Sequence, residues 1–260
     1  MQLSQYIINA FTRDTFAGNP AAVVPLLSWL PDDVMQAIAA QNNLSETAFY
    51  VKSESNFQLR WFTPVTEVDF CGHATLAAGY VVMQNEQSAL DSVIFATRTG
   101  VLQVKKHHEE FILDFPVQTC TASSAIEQVS DALGVAVESL YAGEDYMAVL
   151  KNQQYIEQCR PDMHKLKQLD LRGVIITAPG NNVDFVSRFF APKAGIDEDP
   201  VTGSAHCMLA PYWSAQMHKS ALSARQLSAR GGEMRCEIQN KRVIITASAK
   251  MFARATIYLD

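Results

Sequence analysis

No run of apolar residues in this chain approaches the ~18 that a helix needs to cross a bilayer, so a helical membrane span is excluded. Basic residues are outnumbered, 21 Lys and Arg against 27 Asp and Glu for a formal charge of −6. Without a basic face, nucleic acid is not an expected partner, and short pairs such as Lys105-Lys106 read as solvated edge residues. Cysteine is sparse and odd in number, at positions 71, 120, 159, 207 and 236 with no CxxC, which excludes a disulfide framework and a structural zinc site. The opening MQLSQYIINAF has no basic stretch leading into an apolar run, so no secretory signal is expected and the cytoplasm is the expected location. Neither GxGxxG nor Gly-Lys-Ser/Thr follows a candidate turn, and dinucleotide and P-loop chemistry lose their fingerprints.

What is present is a folded chain of 260 residues, 48% hydrophobic and 18% charged, long enough for one large domain or two small ones. It also contains its own copy. Residues 60–79 read RWFTPVTEVDFCGHATLAAG and residues 188–210 read RFFAPKAGIDEDPVTGSAHCMLA. Each runs from Arg-aromatic-Phe-x-Pro through carboxylates to a glycine turn and a stretch of small, apolar residues. The segments 59–62 and 186–190 read as strands stopped by proline. Behind Gly72 and Gly203, residues 74–85 and 205–217 carry no Asp, Glu, Lys or Arg. A helix without charge on any side is buried all round, so each half is expected to wrap a sheet around one central helix, the second kinked by Pro211.

The remainder is mostly β-branched or aromatic runs expected as strands, from YIINAFT to VIITASAKMFARATIYL. Amphipathic helices are expected at 31–41 and 124–134. The expected domains are 1–117 and 118–249, with a C-terminal strand from about 250 to 260 returning to the first.

A buried helix presents unsatisfied N–H groups and about half a positive charge at its N-terminus. Two such mouths, at Gly72-His73 and Gly203-Ser204, would hold a small carboxylate or phosphate if the halves face each other. Donors of that kind also stabilise the charge that develops when a neighbouring C–H loses its proton. Glu46, in NNLSETAF, stands where a carboxylate could act as acid and base, and His73 lies at a helix mouth. Asp199, the last acid before Pro200, could cap the second helix or orient a proton donor, while Asp197 and Glu198 are expected to be solvated. A thiol at Cys71 is an alternative acid/base, but a two-thiol racemase needs a second cysteine beside Gly203, where Thr202 and Ser204 stand; Cys207 reads as core. A metal held by Asp197, Asp199 and His206 lacks a second histidine at ligand spacing, so no metal is expected. A non-catalytic protein that binds a small carboxylate through the same mouths is the rival from another class.

FAGNPAAVV (16–24), NLSETAF (43–49), RWFTPVTEVDFCGHAT (60–75) and RFFAPKAGIDEDPVTGSAHC (188–207) together resemble the phenazine biosynthesis PhzF-like family, within the diaminopimelate epimerase fold. The resemblance implies an α/β (α+β) fold of two similar domains. Each would be a curled, mostly antiparallel β-sheet around a central helix, with the active site in the cleft between them. It places the family's catalytic residues on Glu46, His73 and Asp199 and its substrate-carboxylate contacts on Gly72, His73, Gly203 and Ser204. It also implies a homodimeric isomerase that shifts a proton on a small carboxylated metabolite without metal or organic cofactor.

Overall fold

The structure, a computed structural model, describes residues 1–54 and 56–260. Its contacts divide the chain into two compact units, Met1–Asp114 with Thr246–Asp260, and Phe115–Ile245. The first unit carries β1 (Gln2–Ala10), β2 (Asn19–Leu26), α1 (Asp32–Asn42), β3 (Glu46–Lys52), β4 (Phe57–Phe62) and β5 (Glu67–Val68). It continues through α2 (Gly72–Val81), β6 (Ser92–Thr97), β7 (Gly100–His107) and β8 (Glu110–Pro116), whose last two residues open the second unit. The second unit carries β9 (Thr121–Ala122), α3 (Ile126–Leu133), β10 (Ser139–Ala142), β11 (Tyr146–Val149), α4 (Gln153–Gln158) and α5 (Met163–Gln168). Then come β12 (Val174–Pro179), β13 (Phe185–Ala191), β14 (Ile196–Asp199), α6 (Gly203–Met217), β15 (Ala221–Gln226) and β16 (Gly232–Gln239). The long β17 (Arg242–Tyr258) starts in the second unit and ends in the first, where it lies antiparallel to β1 from Gln2↔Tyr258 to Ala10↔Ala249.

The duplication seen in the sequence recurs in the strand pairing of each unit. In the first, β2 runs parallel to β3, β3 antiparallel to β4, β4 parallel to β6, and β6 antiparallel to β7. In the second, β11, β12, β13, β15 and β16 repeat that series of parallel and antiparallel pairs. A parallel pair needs a crossover long enough to hold a helix, and the charge-free helices fill the corresponding ones: α2 lies between β4 and β6, and α6 between β13 and β15. Every residue of α2 except Tyr80 is buried, and the helix packs against β1, β2, β3 and β7. α6 packs against β15 and β16, and it continues through Pro211 to Met217.

On the other face of the first sheet, Met35, Ile38 and Ala39 of α1 cover Val24, Leu26, Phe49 and Phe62. In the second unit Val129, Leu133, Ile156 and Leu166 do the same for Ile176, Val186 and Phe190. Each such aliphatic or aromatic side chain contributes roughly 1.5–3 kcal/mol when fully buried. The helix expected at 31–41 spans Asp32–Asn42, with Pro31 just before it and two aspartates in its first turn. The one expected at 124–134 spans Ile126–Leu133 and stops at Gly134, in a left-handed conformation at φ 67°.

The acidic stretch 197–199 lies in the strand β14, which pairs with β13 at Phe189↔Asp199. Asp197 is exposed there, as expected. Glu198, expected in solvent, instead accepts two hydrogen bonds from Arg188, from Nε at 2.7 Å and Nη2 at 2.9 Å. The first copy is built alike, with Arg60 Nε and Nη2 donating to the two oxygens of Glu67 on β5, both at 2.8 Å. Both guanidinium groups also lie over the aromatic ring two residues on, Arg60 over Phe62 at 5.2 Å and Arg188 over Phe190 at 4.8 Å. Arg-aromatic-Phe followed by an acid is therefore a packing unit: one strand supplies cation and ring, and the next supplies a carboxylate that fits the guanidinium fork.

Candidate active site

β3 opens at Glu46, in register with Ala21 of β2, and Asn42 steadies this junction by donating to Thr47 Oγ1 and Gln5 Oε1. Alternation along the strand turns Glu46 to the same side as Ala48 and Tyr50, both buried. α2 begins one position before His73: Cys71 is the N-cap, and Gly72 the first helical residue. Glu46 Oε2 comes 3.2 Å from His73 Nε2, both groups largely buried. Neither of these two buried atoms has a hydrogen-bond partner among the described residues, so the contact is one of proximity. On the opposite edge of the ring, Nδ1 faces Asn19 Nδ2 at 3.2 Å and Cys71 Sγ at 3.5 Å.

The electrostatics of this group are uneven. Burial works against a charged His73, yet the Cys71 sulfur and the Glu46 carboxylate beside the ring outweigh it, and the histidine is held well above its ordinary value. Burial first, and the Glu46 charge second, push the Cys71 thiol up to about 11. Cys71 is thus a neutral thiol at physiological pH, and the carboxylate of Glu46 is the charge that matters to His73. Glu46, Cys71 and His73 also lie close enough together to be considered for a metal ion. However, the carboxylate and the thiol approach opposite nitrogens of one imidazole, and a single ion can take only one of those. The helix mouth adds a positive field, so the arrangement favours an anion over a cation.

The second glycine turn has a different chemistry. Thr202 is the N-cap of α6, and Gly203 its first residue. Asp199 accepts a hydrogen bond from the hydroxyl of Thr202, the N-cap of the helix. Gln226 completes the cluster by accepting from Thr202 N at 2.9 Å and donating to Asp199 O at 2.8 Å and Thr202 Oγ1 at 3.2 Å. Asp199, Thr202 and Gln226 are all buried. Asp197, Asp199 and His206 form no metal-binding group among the described residues. His206 instead donates from Nδ1 to Thr202 O at 2.7 Å, and burial lowers it to about 4. Thr75, the fourth residue of α2 as His206 is of α6, makes the same bond to the carbonyl of its own N-cap, Cys71. Cys207 is buried as core, its thiol pushed up to about 12 by burial.

Sequence reasoning named Glu46, His73, Cys71 and Asp199 but missed Asn19 and Gln226. Asn19 had a signal, since Gly-Asn-Pro places it between two residues that constrain the backbone. Gln226 had none: it ends an ordinary strand and acquires its partners only through β15 pairing beside β13.

Two duplicated sheet-and-helix units, one with a carboxylate and a histidine at its helix mouth, define a protein of the epimerase-like isomerase class. The chain belongs to the phenazine biosynthesis-like family, whose model matches residues 8–255, and it is an isomerase of that family. An uncharacterized isomerase of Pseudomonas aeruginosa is 45% identical over 261 residues, covering 100% of both chains. A crystal structure of a PhzF-family phenazine biosynthesis protein from Enterococcus faecalis superposes with a TM-score of 0.97 at 47% identity, again over 100% of both chains. The fold extends further: a hydroxyproline epimerase from Agrobacterium vitis has a TM-score of 0.64 at 8% identity, over 100% of this chain and 93% of the other. Among the described residues no helix is long and apolar enough to cross a membrane.

Proposed function

We propose that the protein is a cofactor-independent isomerase that moves a proton on a small carboxylate-bearing metabolite, with Glu46 as the acid/base. The observation that carries this reading is the 3.2 Å approach of Glu46 Oε2 to His73 Nε2 at the mouth of a helix buried at every residue but Tyr80. A substrate carboxylate would be held by the N–H groups of Gly72 and His73, and Gly203 and Ser204 offer a helix mouth of the same kind in the second unit. Glu46 would take the proton from carbon and return it elsewhere on the same molecule. His73 would hold the carboxylate in place and share its proton, while Asp199 keeps Thr202, and with it the second helix mouth, in position. The same proposal includes a homodimer, as the family resemblance implies, and a reducing cytoplasm, which suits five free cysteines.

The thiol alternative has one observation in its favour, the 3.5 Å contact of Cys71 with His73. Against it stand a thiol pushed up to about 11 and Thr202 at the equivalent cap of the second helix. Small amino, hydroxy and unsaturated carboxylic acids incubated with the protein in deuterated water would be followed by proton NMR for deuterium uptake at carbon. Glu46→Gln is expected to slow uptake at least ~10²-fold, and Cys71→Ser to leave it nearly unchanged. Uptake that survives Glu46→Gln but disappears in Cys71→Ser overturns the assignment, and tight binding of an acid with no uptake favours a binding protein.

A further inference from the structure

We propose that Asn19 is a positioning residue: its amide holds the neutral His73 ring as the tautomer protonated on Nε2, aiming that proton at Glu46 and closing Nδ1 to the Cys71 thiol. The distances leave the neutral ring one comfortable arrangement. With the proton on Nε2, the N–H lies beside the Glu46 oxygen 3.2 Å away, and the Nδ1 lone pair accepts from the Asn19 amide nitrogen, also at 3.2 Å. With the proton on Nδ1, two donors would face each other across one contact, and a lone pair would face a carboxylate oxygen across the other. An orphaned pair of this kind in a buried site costs more than an exposed one, because no water can intervene.

The backbone makes the amide a fixed reference. Asn19 is fully buried and opens β2 opposite Ala10. Before it, Gly18 adopts φ +74°, where a Cβ would lie 2.3 Å from Ala10 O, and after it Pro20 fixes its own φ. The side chain therefore leaves the backbone in one direction and meets the ring edge-on. Its one remaining freedom is a half-turn of the terminal amide, which would present oxygen to Nδ1–H when the ring carries its second proton. Asn19 thus accommodates both charge states of His73, and because Glu46 faces the other nitrogen a neutral ring protonated on Nδ1 would still set a lone pair against a carboxylate, so one neutral form satisfies both contacts. The consequence for Cys71 is direct. Of the two ring nitrogens its sulfur meets Nδ1, and a nitrogen whose lone pair is already engaged is no base for the thiol, so the cysteine stays protonated while the imidazole works through Glu46.

That this proton serves catalysis rests on the isomerase reading above; the tautomer itself does not. The experiment is a long-range proton–nitrogen NMR titration of the full chain carrying ¹⁵N-labelled histidine, with His73 assigned by the signal lost in His73→Gln. Above the ring's midpoint the wild-type neutral form is expected to carry its proton on Nε2 with Nδ1 bare. Asn19→Asp offers Nδ1 only acceptors and is expected to keep the ring charged to higher pH and then leave its proton on Nδ1. Asn19→Ser, too short to reach the ring, is expected to give a mixture of tautomers, and serves if the aspartate variant does not fold. A wild-type neutral ring protonated on Nδ1 overturns the proposal, and so does an unchanged tautomer and midpoint in the variants. Absence of deuterium uptake with every acid tried, alongside the expected tautomer, would count against the isomerase reading and leave this one standing.

Discussion

The two arginine forks look alike but should not cost the same to break. Arg188 is 10% exposed and Glu198 22%, and Arg188 Nη1 is further committed to two backbone carbonyls, Ile156 O at 3.0 Å and Cys159 O at 2.9 Å. Glu198→Gln preserves volume but removes the one carboxylate that, among the described residues, pairs with a guanidinium that cannot lose its proton. Removing one partner of a buried pair costs about 3–5 kcal/mol. The residual exposure and the two carbonyl acceptors place this case near the lower edge, at about 3 kcal/mol. In the first unit Arg60 is 23% exposed and Glu67 19%, and Arg60 Nη1 also reaches Asp32 at 2.8 Å. After Glu67→Gln the guanidinium keeps that second carboxylate, so the loss should be nearer 1 kcal/mol, as for a hydrogen-bonded pair with water in reach.

Because a chain of two units need not unfold in one step, the measurement is hydrogen exchange by mass spectrometry, read on β12 and β13 in one unit and on β3 and β4 in the other. The expected result is faster exchange by roughly two orders of magnitude for the Glu198 variant, at 1.4 kcal/mol per factor of ten. The Glu67 variant should change by less than about one order. Equal losses, or the larger loss at Glu67, would refute the argument that the second carboxylate decides the difference.

Two further perturbations probe the helix mouth and the packing behind it. His73 is held above its ordinary value of 6.5, so the stability it contributes is complete below about pH 6.5 and lost as pH rises through the folded-state value. Thermal midpoints should fall from pH 6.5 toward 9, and fall less in Glu46→Gln; parallel profiles would sink the attribution to Glu46. At Gly79 in α2, an added Cβ would sit 2.8 Å from Val104 Cγ1 and 2.9 Å from Val104 Cβ, against the root of a branched side chain that cannot step aside. Overpacking costs about 1–3 kcal/mol and outweighs the ~1 kcal/mol that alanine gains over glycine in a helix. Gly79→Ala should therefore melt lower, and Val104→Ala should restore part of the loss in the double variant. A higher midpoint in Gly79→Ala would show that the approach is looser than these distances.

What could be read from the residues was whatever a local pattern encodes. A proline-stopped aromatic strand, a glycine turn and a charge-free helix are short-range signals, and their repetition at 60–79 and 188–210 carried the duplicated architecture. The six-residue helices α4 and α5 escaped because six residues hold fewer than two turns, too few for a hydrophobic period. Strand β14 escaped because Asp197, Glu198 and Asp199 carry no strand propensity. They lie in a strand only because Glu198 finds Arg188 on the neighbouring one. Asn19 and Gln226 illustrate the same limit at the site, since their partners lie 54 and 24 positions away.

The duplication also sharpens what distinguishes the two helix mouths. Both close their first turn with a side chain from the fourth helical residue donating to the N-cap carbonyl, Thr75 in one and His206 in the other. Beyond that shared device they part. In the first unit two titratable groups, Glu46 and His73, come within 3.2 Å of each other, and the histidine is held above its ordinary value. In the second, the histidine is spent on the cap and kept neutral by burial, while Gln226, which cannot titrate, clamps Thr202 against Asp199. A racemase with opposed bases needs a proton carrier on both sides of its substrate. The first mouth brings a carboxylate to a histidine and the second clamps a threonine against an aspartate, a difference in keeping with the proposal of a single carboxylate that takes a proton and gives it back.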